Sequence, residues 1–530
     1  MLNTEKKIAL TLFCIFFVVY VFSSDGHRHT FDEEVTLRQA TWLSTLTPHP
    51  DYVPGVSREG FDFPELFIHP AGFEDRDAAP LCNFGLLCSA ATIGHSIVEV
   101  PFLLLNQHLN IISDNAIFTT DDFDDLHYVW WRNSLDVNHV FLELFYGPLF
   151  TALSVFLFFF VSRTFNITLK NSIVLAFLFG FSTITWAYSQ TSFSSVSMTT
   201  FILLGFLFFR KYQKENFSLH LIISGSSLGF AFLIRPDSFM ILAPMFFFLI
   251  ALVIYKNFLK LELLDSAKKI LSFSIPLFLS YGIYQLMGII RFDTSVTYSG
   301  FSTIITHPES YTPFYISLFG LLFSPGVGLF IFSPILFLVI VSFSDLYKKN
   351  KQDFILLLGI ILSFLFWYSL FVVHWHGLSG WSARYLLPLV PFLLIPLGIT
   401  LSRKLTKGSI FIICLLGGLG IIFNLVYLIQ DANWFVWGIM GQDNHGLYSL
   451  HGGPLRIHPL TIWTFEFSQL THTIAMAFIH PQLDIYLIKI LGTSLYSVIL
   501  VGLLSIFSYN LIRLHRSIIV KDSKLDVVDK

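Results

Sequence analysis

A polar segment directly behind the first apolar run carries side chains that are suited to chemistry. Residues 24–34 contain the four carboxylates of Asp25, Asp32, Glu33 and Glu34 beside two histidines and an arginine. Ionisable groups at a membrane boundary are costly unless they are solvated, paired or functional. Asp32 and Glu33 would stand in the first turn of a surface helix capped by Thr30, a position that acidic residues also favour for structural reasons alone. A carboxylate fixed there is suited to accept a proton from a hydroxyl group at the lipid surface.

Two arginines at predicted helix ends are suited to hold a phosphate group. Arg384 and Tyr385 stand at the entry to a late apolar run, and Arg235 ends an earlier one. A guanidinium group stays charged and binds phosphate through two parallel hydrogen bonds, so Arg384 is well suited to hold a phosphate or diphosphate. For Arg235 three roles stay open: pairing with Asp237, contact with lipid headgroups, or binding a lipid phosphate.

The histidines and cysteines give little indication of a metal site. His374 and His376 alternate as ligands on an extended segment do, but without a third clear ligand they favour interfacial or hydrogen-bonding roles. The four cysteines form no ligand pattern, and Cys82 and Cys88 would close a short disulfide if their loop faces an oxidising compartment. No residue is therefore predicted to bind a metal, and a divalent cation such as Mg²⁺ or Mn²⁺ stays open as a cofactor.

Glycine and proline are concentrated in residues 320–334. The segment reads Gly-Leu-Leu-Phe-Ser-Pro-Gly-Val-Gly-Leu, with Ser324 and Pro325 at its centre, and Phe-Ser-Pro follows one helical turn later. This density of glycine and proline predicts a broken membrane helix, and such breaks are tolerated where they line a cavity. The alternative is a kinked helix packed through small residues.

The composition is that of a polytopic membrane protein. Of the 530 residues 54% are hydrophobic and 13% charged, and the mean hydropathy is +0.69, whereas soluble domains have about 25% charged residues. The net charge of −3 provides no basic field, which excludes nucleic acid as a partner. We predict about twelve membrane-spanning runs, the first a retained signal anchor: 8–22, 139–162, 171–188, 192–209, 219–234, 239–255, 270–290, 318–343, 354–373, 385–401, 410–429 and 485–506.

The basic residues predict which loops are cytoplasmic. Most of the 32 lysines and arginines fall in short loops that alternate with loops nearly free of them, which puts both chain ends in the cytoplasm and segments 23–138, 291–317 and 430–484 outside. This holds only if 86–105 does not cross the membrane, and its His95, Glu99 and Pro101 fit an interfacial or re-entrant helix. The predicted spans are almost free of ionisable residues, unlike those of transporters, so chemistry is expected at the outer membrane boundary.

These motifs together resemble the GT-C class of membrane glycosyltransferases, which use polyprenyl-phosphate sugars. The nearest likeness is to the protein O-mannosyltransferases and lipid A aminoarabinose transferases, especially their uncharacterised prokaryotic relatives. It covers residues 8–430 and depends on the Asp32-Glu33 pair, the Gly-x-x-x-Leu-x-Arg-Pro element at 229–236, and the segments 320–329 and 375–386. There are two departures: residues 188–195 lack the acidic residue common in such relatives, and Ser-Ala replaces the glycine before Arg384.

The resemblance implies an all-α integral membrane bundle of about twelve transmembrane helices. The catalytic module would be 1–430, with interfacial helices in the first extracytoplasmic loop (23–138), and 431–530 would add an outer loop, the last span and a cytoplasmic tail. The protein would be a multi-pass enzyme of the cell membrane, surrounded by lipid, that transfers a monosaccharide from a polyprenyl-phosphate donor to a protein, lipid or glycan acceptor with inversion. A flippase or transporter of lipid-linked sugars or lipids, and a non-catalytic scaffold, are the alternatives. The implied site comprises Asp32 as general base with Glu33 and Asp25 as further carboxylates, Arg384, Arg235 and Tyr385 at the donor phosphate, and His95, Ser324, Pro325, His374 and His376 lining the cavity.

Overall fold

The computed structural model describes most of the helical part of the chain. The described residues are 4–27, 29, 31–45, 92–112, 137–257, 263–292, 312–372, 375–377, 380–403, 405–430, 459–479 and 483–528. For some residues at or near helix ends only the backbone is described, and Asp32 is one of them. All regular structure within these ranges is helical, with no strand among them.

The helices follow one another along the chain with short 3₁₀ turns between some of them. The turns are Ala187–Gln190, Pro236–Ser238, Pro334–Leu336 and Arg384–Leu389. The α-helices in the described ranges are α1 Thr4–Phe22, α2 Phe31–Thr45, α3 Ile93–Leu109, α4 Val137–Thr164, α5 Leu169–Phe181, α6 Ser194–Glu215, α7 Ser218–Ile234, α8 Phe239–Asn257, α9 Leu263–Phe292, α10 Phe314–Phe323, α11 Leu329–Phe332, α12 Phe337–Lys349, α13 Lys351–Phe371, α14 Val390–Leu401, α15 Lys407–Ile429, α16 Pro459–Trp463, α17 Gln469–Ile479 and α18 Tyr486–Val528.

Several of these helices are long and apolar enough to cross a membrane. The described residues contain 7 of them: Val140–Thr164, Pro236–Ile254, Leu264–Ile289, Lys351–Phe371, Arg384–Leu401, Lys407–Ile429 and Tyr486–Arg516. Leu169–Phe181, Ser218–Ile234 and Phe314–Phe323 are apolar but shorter. The prediction of a helical membrane protein is confirmed at this level, and the count of about twelve spans stays a prediction.

Several of the predicted spans are not single α-helices: 385–401 begins with the 3₁₀ turn Arg384–Leu389, and α18 is interrupted at Gly492, whose φ is 72°. The predicted run 171–188 ends as an α-helix at Phe181, where Ser182 leaves helical geometry. The predicted run 318–343 is divided into α10, α11, a 3₁₀ turn and α12. Its first break lies at Ser324, which is extended, because the following proline disfavours helical geometry there. The glycine- and proline-rich segment therefore breaks a helix as its composition predicts.

Helix α4 lies at the centre of the bundle and packs against α1, α3, α5 and α6. Gly147 in α4 allows the loop after α5 to approach closely, since a Cβ atom there would lie 2.4 Å from the carbonyl oxygen of Ser189. Gly94 in α3 likewise lies against the end of α7, where a Cβ atom would be 2.4 Å from the Leu233 carbonyl carbon. These two glycines bring α3, the loop 182–193 and the end of α7 to one end of the bundle.

The polar contacts between distant segments mark the opposite end, which we call the basic end (loops 163–170, 210–217, 345–351 and 402–407). The Phe165 carbonyl accepts a hydrogen bond from Lys349 Nζ at 3.0 Å, and the Phe165 ring lies 4.3 Å from the Arg210 guanidinium carbon. Four of the loops predicted to be cytoplasmic from their basic residues thus lie together. The ion pairs there are Glu5–Arg163 at 2.7 Å, Arg210–Asp353 at 2.5 Å and Arg403–Asp345 at 2.5 Å. Which end faces the cytoplasm stays a prediction.

Candidate active site

Glu33 is buried in the first turn of α2, at the end of the bundle away from the basic end. Its Oε2 accepts a hydrogen bond from the His29 backbone N–H at 2.7 Å, and its Oε1 accepts one from the Ser192 N–H at 3.0 Å. A carboxylate whose two oxygens both face backbone donors is stabilised in its ionised form and fixed in position. Glu33 therefore joins the first-loop helix to the loop between α5 and α6.

Two buried carboxylates that the sequence analysis did not assign to the site lie near Ser192, one bonded to it directly and the other through His95. The Ser192 hydroxyl donates to Glu143 Oε1 at 3.1 Å, and its carbonyl oxygen accepts from His95 Nε2 at 2.9 Å. The same His95 nitrogen lies 3.4 Å from Glu99 Oε1, and both glutamates are fully buried. These carboxylates come from α3 and α4 and lie beside the loop whose own sequence lacks an acidic residue.

A signal for both glutamates is present in the sequence. Glu143 is the single acidic residue in the apolar run 139–162, and Glu99 follows His95 by one helical turn in an otherwise apolar stretch. Acidic residues inside membrane-length apolar runs are rare and usually functional. His95, predicted to line the cavity, is buried within this group.

The predicted phosphate-binding residues meet at the ring of Tyr385. The Arg384 guanidinium carbon lies 5.1 Å from the centre of this ring and 4.8 Å from that of Phe193. The Arg235 guanidinium carbon lies 4.6 Å from the same Tyr385 ring. The Asp237 carboxylate neutralises one of these two positive charges, which leaves a net positive charge beside the ring that attracts an anion. The structure thus brings together two arginines that are far apart in the sequence, in a place that suits an anion.

Asp237 and Tyr368 hold Arg235 in this position. Arg235 Nε donates to Asp237 Oδ2 at 2.7 Å, and the Tyr368 hydroxyl donates to the same oxygen. The Tyr368 ring stacks on Tyr385 with 4.9 Å between ring centres and an angle of 4°. Arg235 therefore pairs with Asp237 and lies over Tyr385 at once, so the pairing does not remove it from the candidate anion site.

Tyr188 links the carboxylate side of the site to the arginine side. It is buried in the 3₁₀ turn after α5, and its hydroxyl donates to the Trp381 carbonyl oxygen at 2.7 Å. Burial raises the pKa of Tyr188, the Arg384 guanidinium opposes this rise, and the Glu33 carboxylate adds to it. The Tyr188 ring also lies 5.9 Å from that of Phe193, which contacts Arg384 and directly follows Ser192, the partner of Glu33, so the two sides of the site meet in the loop 182–193.

Two glycines of the loop before α14 make room for Arg384. Gly377 has a φ of +77°, and a Cβ atom on it would lie 2.9 Å from Arg384 Cγ. A Cβ atom on Gly380 would lie 2.8 Å from Arg384 Cδ and 2.9 Å from the Tyr188 hydroxyl oxygen. A side chain at either position would displace the arginine.

Replacing Gly380 is expected to damage the site through Arg384. Gly380→Ala forces Arg384 or Tyr188 to move, and overpacking of this kind costs about 1–3 kcal/mol. We expect a lower melting temperature in detergent and a loss of the activity proposed below. Gly418→Ala in α15 is the matched control, because a Cβ atom there meets nothing within 4 Å and an alanine in a helix stabilises by up to about 1 kcal/mol. Equal stability and activity of the two variants would contradict this account of Gly380.

The remaining residues predicted to line the cavity are distributed around the Ser-Pro-Gly turn. Ser324 is fully buried, and its hydroxyl accepts from the Val327 N–H at 3.3 Å, so its first role is to stabilise the turn. Pro325 is partly buried, His376 is buried against Trp375, and Ser382 Oγ donates to the Val327 carbonyl at 3.1 Å. The turn is thereby tied to the loop of Arg384, and the cavity-lining role of these residues stays a prediction. His374, Cys82 and Cys88 lie outside the described residues.

Asp25 stands apart from Glu33 and faces two histidines. Its Oδ2 lies 2.9 Å from His29 Nε2 and 3.5 Å from His27 Nε2. Burial by itself raises the pKa of Asp25, but the two histidines outweigh it and lower the pKa from its ordinary value. A weakly basic carboxylate is a poor general base. Asp32 stays the candidate base, since its backbone lies in the first turn of α2 beside Glu33.

Comparisons with known proteins add no family to these observations. A comparison with protein families finds no match to this chain, and a comparison with curated proteins finds none either. The likeness to GT-C enzymes therefore stays a resemblance of motifs, and a functional proposal depends on the geometry of the site.

Proposed function

We propose that this protein is an inverting glycosyltransferase of the GT-C type, which moves a monosaccharide from a polyprenyl-phosphate donor to a protein, lipid or glycan acceptor at the extracytoplasmic face. The observation that carries the proposal is the meeting of Arg235 and Arg384 at Tyr385, at 4.6 and 5.1 Å, at the same end of an apolar helical bundle as a group of buried carboxylates. A lipid phosphate needs cationic groups for its head and an apolar surface for its chain, and this end of the bundle provides both.

The reaction would be a single displacement at the anomeric carbon. Asp32 takes the proton from the acceptor group as the acceptor atom forms a bond to that carbon. The bond from the carbon to the phosphate oxygen breaks, and the polyprenyl phosphate leaves with the electron pair. Arg384 and Arg235 stabilise the charge that develops on the phosphate, and such preorganised stabilisation is usually the largest contribution to catalysis. One displacement inverts the configuration of the sugar.

Glu33 would be a positioning residue in this reaction. Its two oxygens accept from the backbones of His29 and Ser192, at 2.7 and 3.0 Å, which fixes the first turn of α2 against the centre of the bundle. Asp32 is the preceding residue in the same turn. A general base must be held within hydrogen-bond reach of the proton that it takes, and the anchored helix turn supports that requirement.

Transfer of sugar is the direct test. Purified protein in liposomes is incubated with radiolabelled polyprenyl-phosphate sugars and membrane extracts, and proteins and glycolipids from cells with and without the gene are compared by mass spectrometry. We expect label on an acceptor and the loss of a hexose- or pentose-sized mass on deletion. Unchanged glycans beside an altered transbilayer distribution of polyprenyl-phosphate sugars would indicate the flippase instead.

A further inference from the structure

A second group of buried polar side chains lies just behind α1. One ligand atom from each of Asp25, His27 and His29 lies within 4.8 Å of the other two, and all three residues are buried. Two imidazoles and a carboxylate are ligands that transition metals use in proteins. The group is separate from the arginines at Tyr385, and the proposed reaction assigns no step to it.

Asp484, far away in the sequence, lies beside this group and contacts it at His27. It precedes α18, it is buried, and its Oδ2 lies 2.7 Å from His27 Nε2. Its other oxygen accepts from Lys489 Nζ at 2.8 Å. The second oxygen of Asp25 likewise accepts from the His27 backbone N–H at 3.3 Å. Each carboxylate thus has one oxygen held by a hydrogen-bond donor and the other directed at the histidines, as metal-ligating carboxylates are oriented.

The short contacts of these atoms are close to the ligand spacing of a tetrahedral metal site. Zinc bonds to nitrogen and carboxylate oxygen of about 2.0–2.1 Å imply ligand atoms about 3.3 Å apart. The three closest contacts are 2.7 Å for His27–Asp484, 2.9 Å for His29–Asp25 and 3.5 Å for His27–Asp25. The two contacts of Asp25 lie within about half an ångström of this spacing, and Asp484 reaches the group through its contact with His27.

We propose that Asp25, His27, His29 and Asp484 bind one transition-metal ion of the zinc class. Two imidazole ligands disfavour Mg²⁺ and Ca²⁺, which prefer all-oxygen sites. Four protein ligands leave no open position, which is the mark of a structural site rather than a catalytic one. The competing explanation of the same short contacts is direct pairing of protonated histidines with the carboxylates, which needs no metal.

The ion would tie the start of the first loop to the segment before the last helix. The backbone of that segment already meets both neighbours: the Tyr486 N–H donates to the Ser24 carbonyl at 3.0 Å, and the Asp484 N–H to the Ile429 carbonyl at 3.2 Å. His29 in turn donates its N–H to Glu33. The metal site therefore gives a role to part of residues 431–530, which resemble no GT-C motif, and it orders the helix that carries Asp32.

Metal content of the full-length protein tests the proposal without any assay of sugar transfer. Protein is purified, incubated with Zn²⁺, dialysed and analysed by inductively coupled plasma mass spectrometry. We expect one zinc ion per chain in the wild type. His29→Gln and Asp484→Asn should lower the zinc affinity by at least about 100-fold, since even the loss of an outer-shell partner costs about 10–100-fold. His220→Gln is the matched control, because His220 lies at the basic end with Glu215 at 3.6 Å.

If a variant fails to fold, the wild type alone can test the proposal by removal and return of the metal. Chelation of the wild type should lower its melting temperature, and Zn²⁺ but not Mg²⁺ should restore it. A wild type that retains no transition metal after incubation with Zn²⁺, equal zinc content in wild type and His29→Gln, or equal recovery with Mg²⁺ would each overturn the proposal. Because none of these measurements involves a sugar, their outcome is independent of the proposed transferase activity.

Discussion

Arg384→Lys is expected to lower the rate of sugar transfer by about 100- to 1,000-fold, the loss that follows removal of one preorganised donor to a developing negative charge. Lysine keeps the charge but loses the planar fork that binds a phosphate through two hydrogen bonds. It also loses the contacts of the guanidinium plane with Phe193 and Tyr385. The rate and the KM for the polyprenyl-phosphate donor are measured on purified protein, together with the melting temperature.

Arg403→Lys is the control for this experiment. Arg403 pairs with Asp345 at the basic end, and its side chain is 52% exposed, so the charge-preserving change should leave the transfer rate unaltered. A drop in rate with an unchanged melting temperature for Arg384→Lys, beside a normal Arg403→Lys, supports a role at the phosphate. Unchanged donor kinetics in Arg384→Lys would refute that role, and a large loss of stability alone would make Arg384 a packing residue.

The helical architecture could be predicted because lipid leaves the backbone few alternatives. A long run without charge, such as Lys407–Ile429, satisfies its backbone hydrogen bonds in hydrocarbon only as a helix. At 171–188 the structure differs from a single helix, because the α-helix ends at Phe181. The end of this helix lies against α15, where a Cβ atom on Gly420 would be 2.1 Å from the Ser182 carbonyl oxygen. Apolar composition marks a buried segment but does not distinguish lipid from protein as its surroundings.

The site residues that lie in recognisable motifs could be predicted from the sequence. Those contributed by segments far apart in the chain could not. Arg235, Arg384 and Tyr385 were grouped from motif resemblance, and the structure brings them to one ring. Asp484 could not be assigned, because it lies in a stretch without recognisable motifs and its partner His27 is 457 residues away. Glu143 had a readable signal, its isolation in an apolar run, but the sequence did not show that Ser192 would be its partner.

Asp32→Asn and Glu33→Gln are expected to fail in different ways, although the two residues are neighbours. In Glu33→Gln the amide nitrogen replaces one acceptor oxygen, so either the His29 or the Ser192 N–H loses its partner. Leaving a buried donor unsatisfied costs about 1–3 kcal/mol, and we expect a lower melting temperature together with reduced transfer. In Asp32→Asn a proton acceptor is lost, and the rate should fall by about 100- to 10,000-fold at unchanged stability.

Together, Asp32→Asn and Glu33→Gln distinguish proton transfer by Asp32 from the positioning of α2 by Glu33. Each is assayed for the transfer rate, for donor KM and for the melting temperature, with Asp32→Glu as a further variant that keeps a carboxylate. If Asp32 is the base, Asp32→Glu should recover part of the rate that Asp32→Asn loses, since glutamate keeps a carboxylate that can accept the proton, displaced by one methylene group. If Asp32→Asn turns over normally while Glu33→Gln is stable and inactive, the two roles are reversed. Glu33, held between two backbone donors, would then take the proton, and the anchoring of α2 would have to come from elsewhere in the first loop.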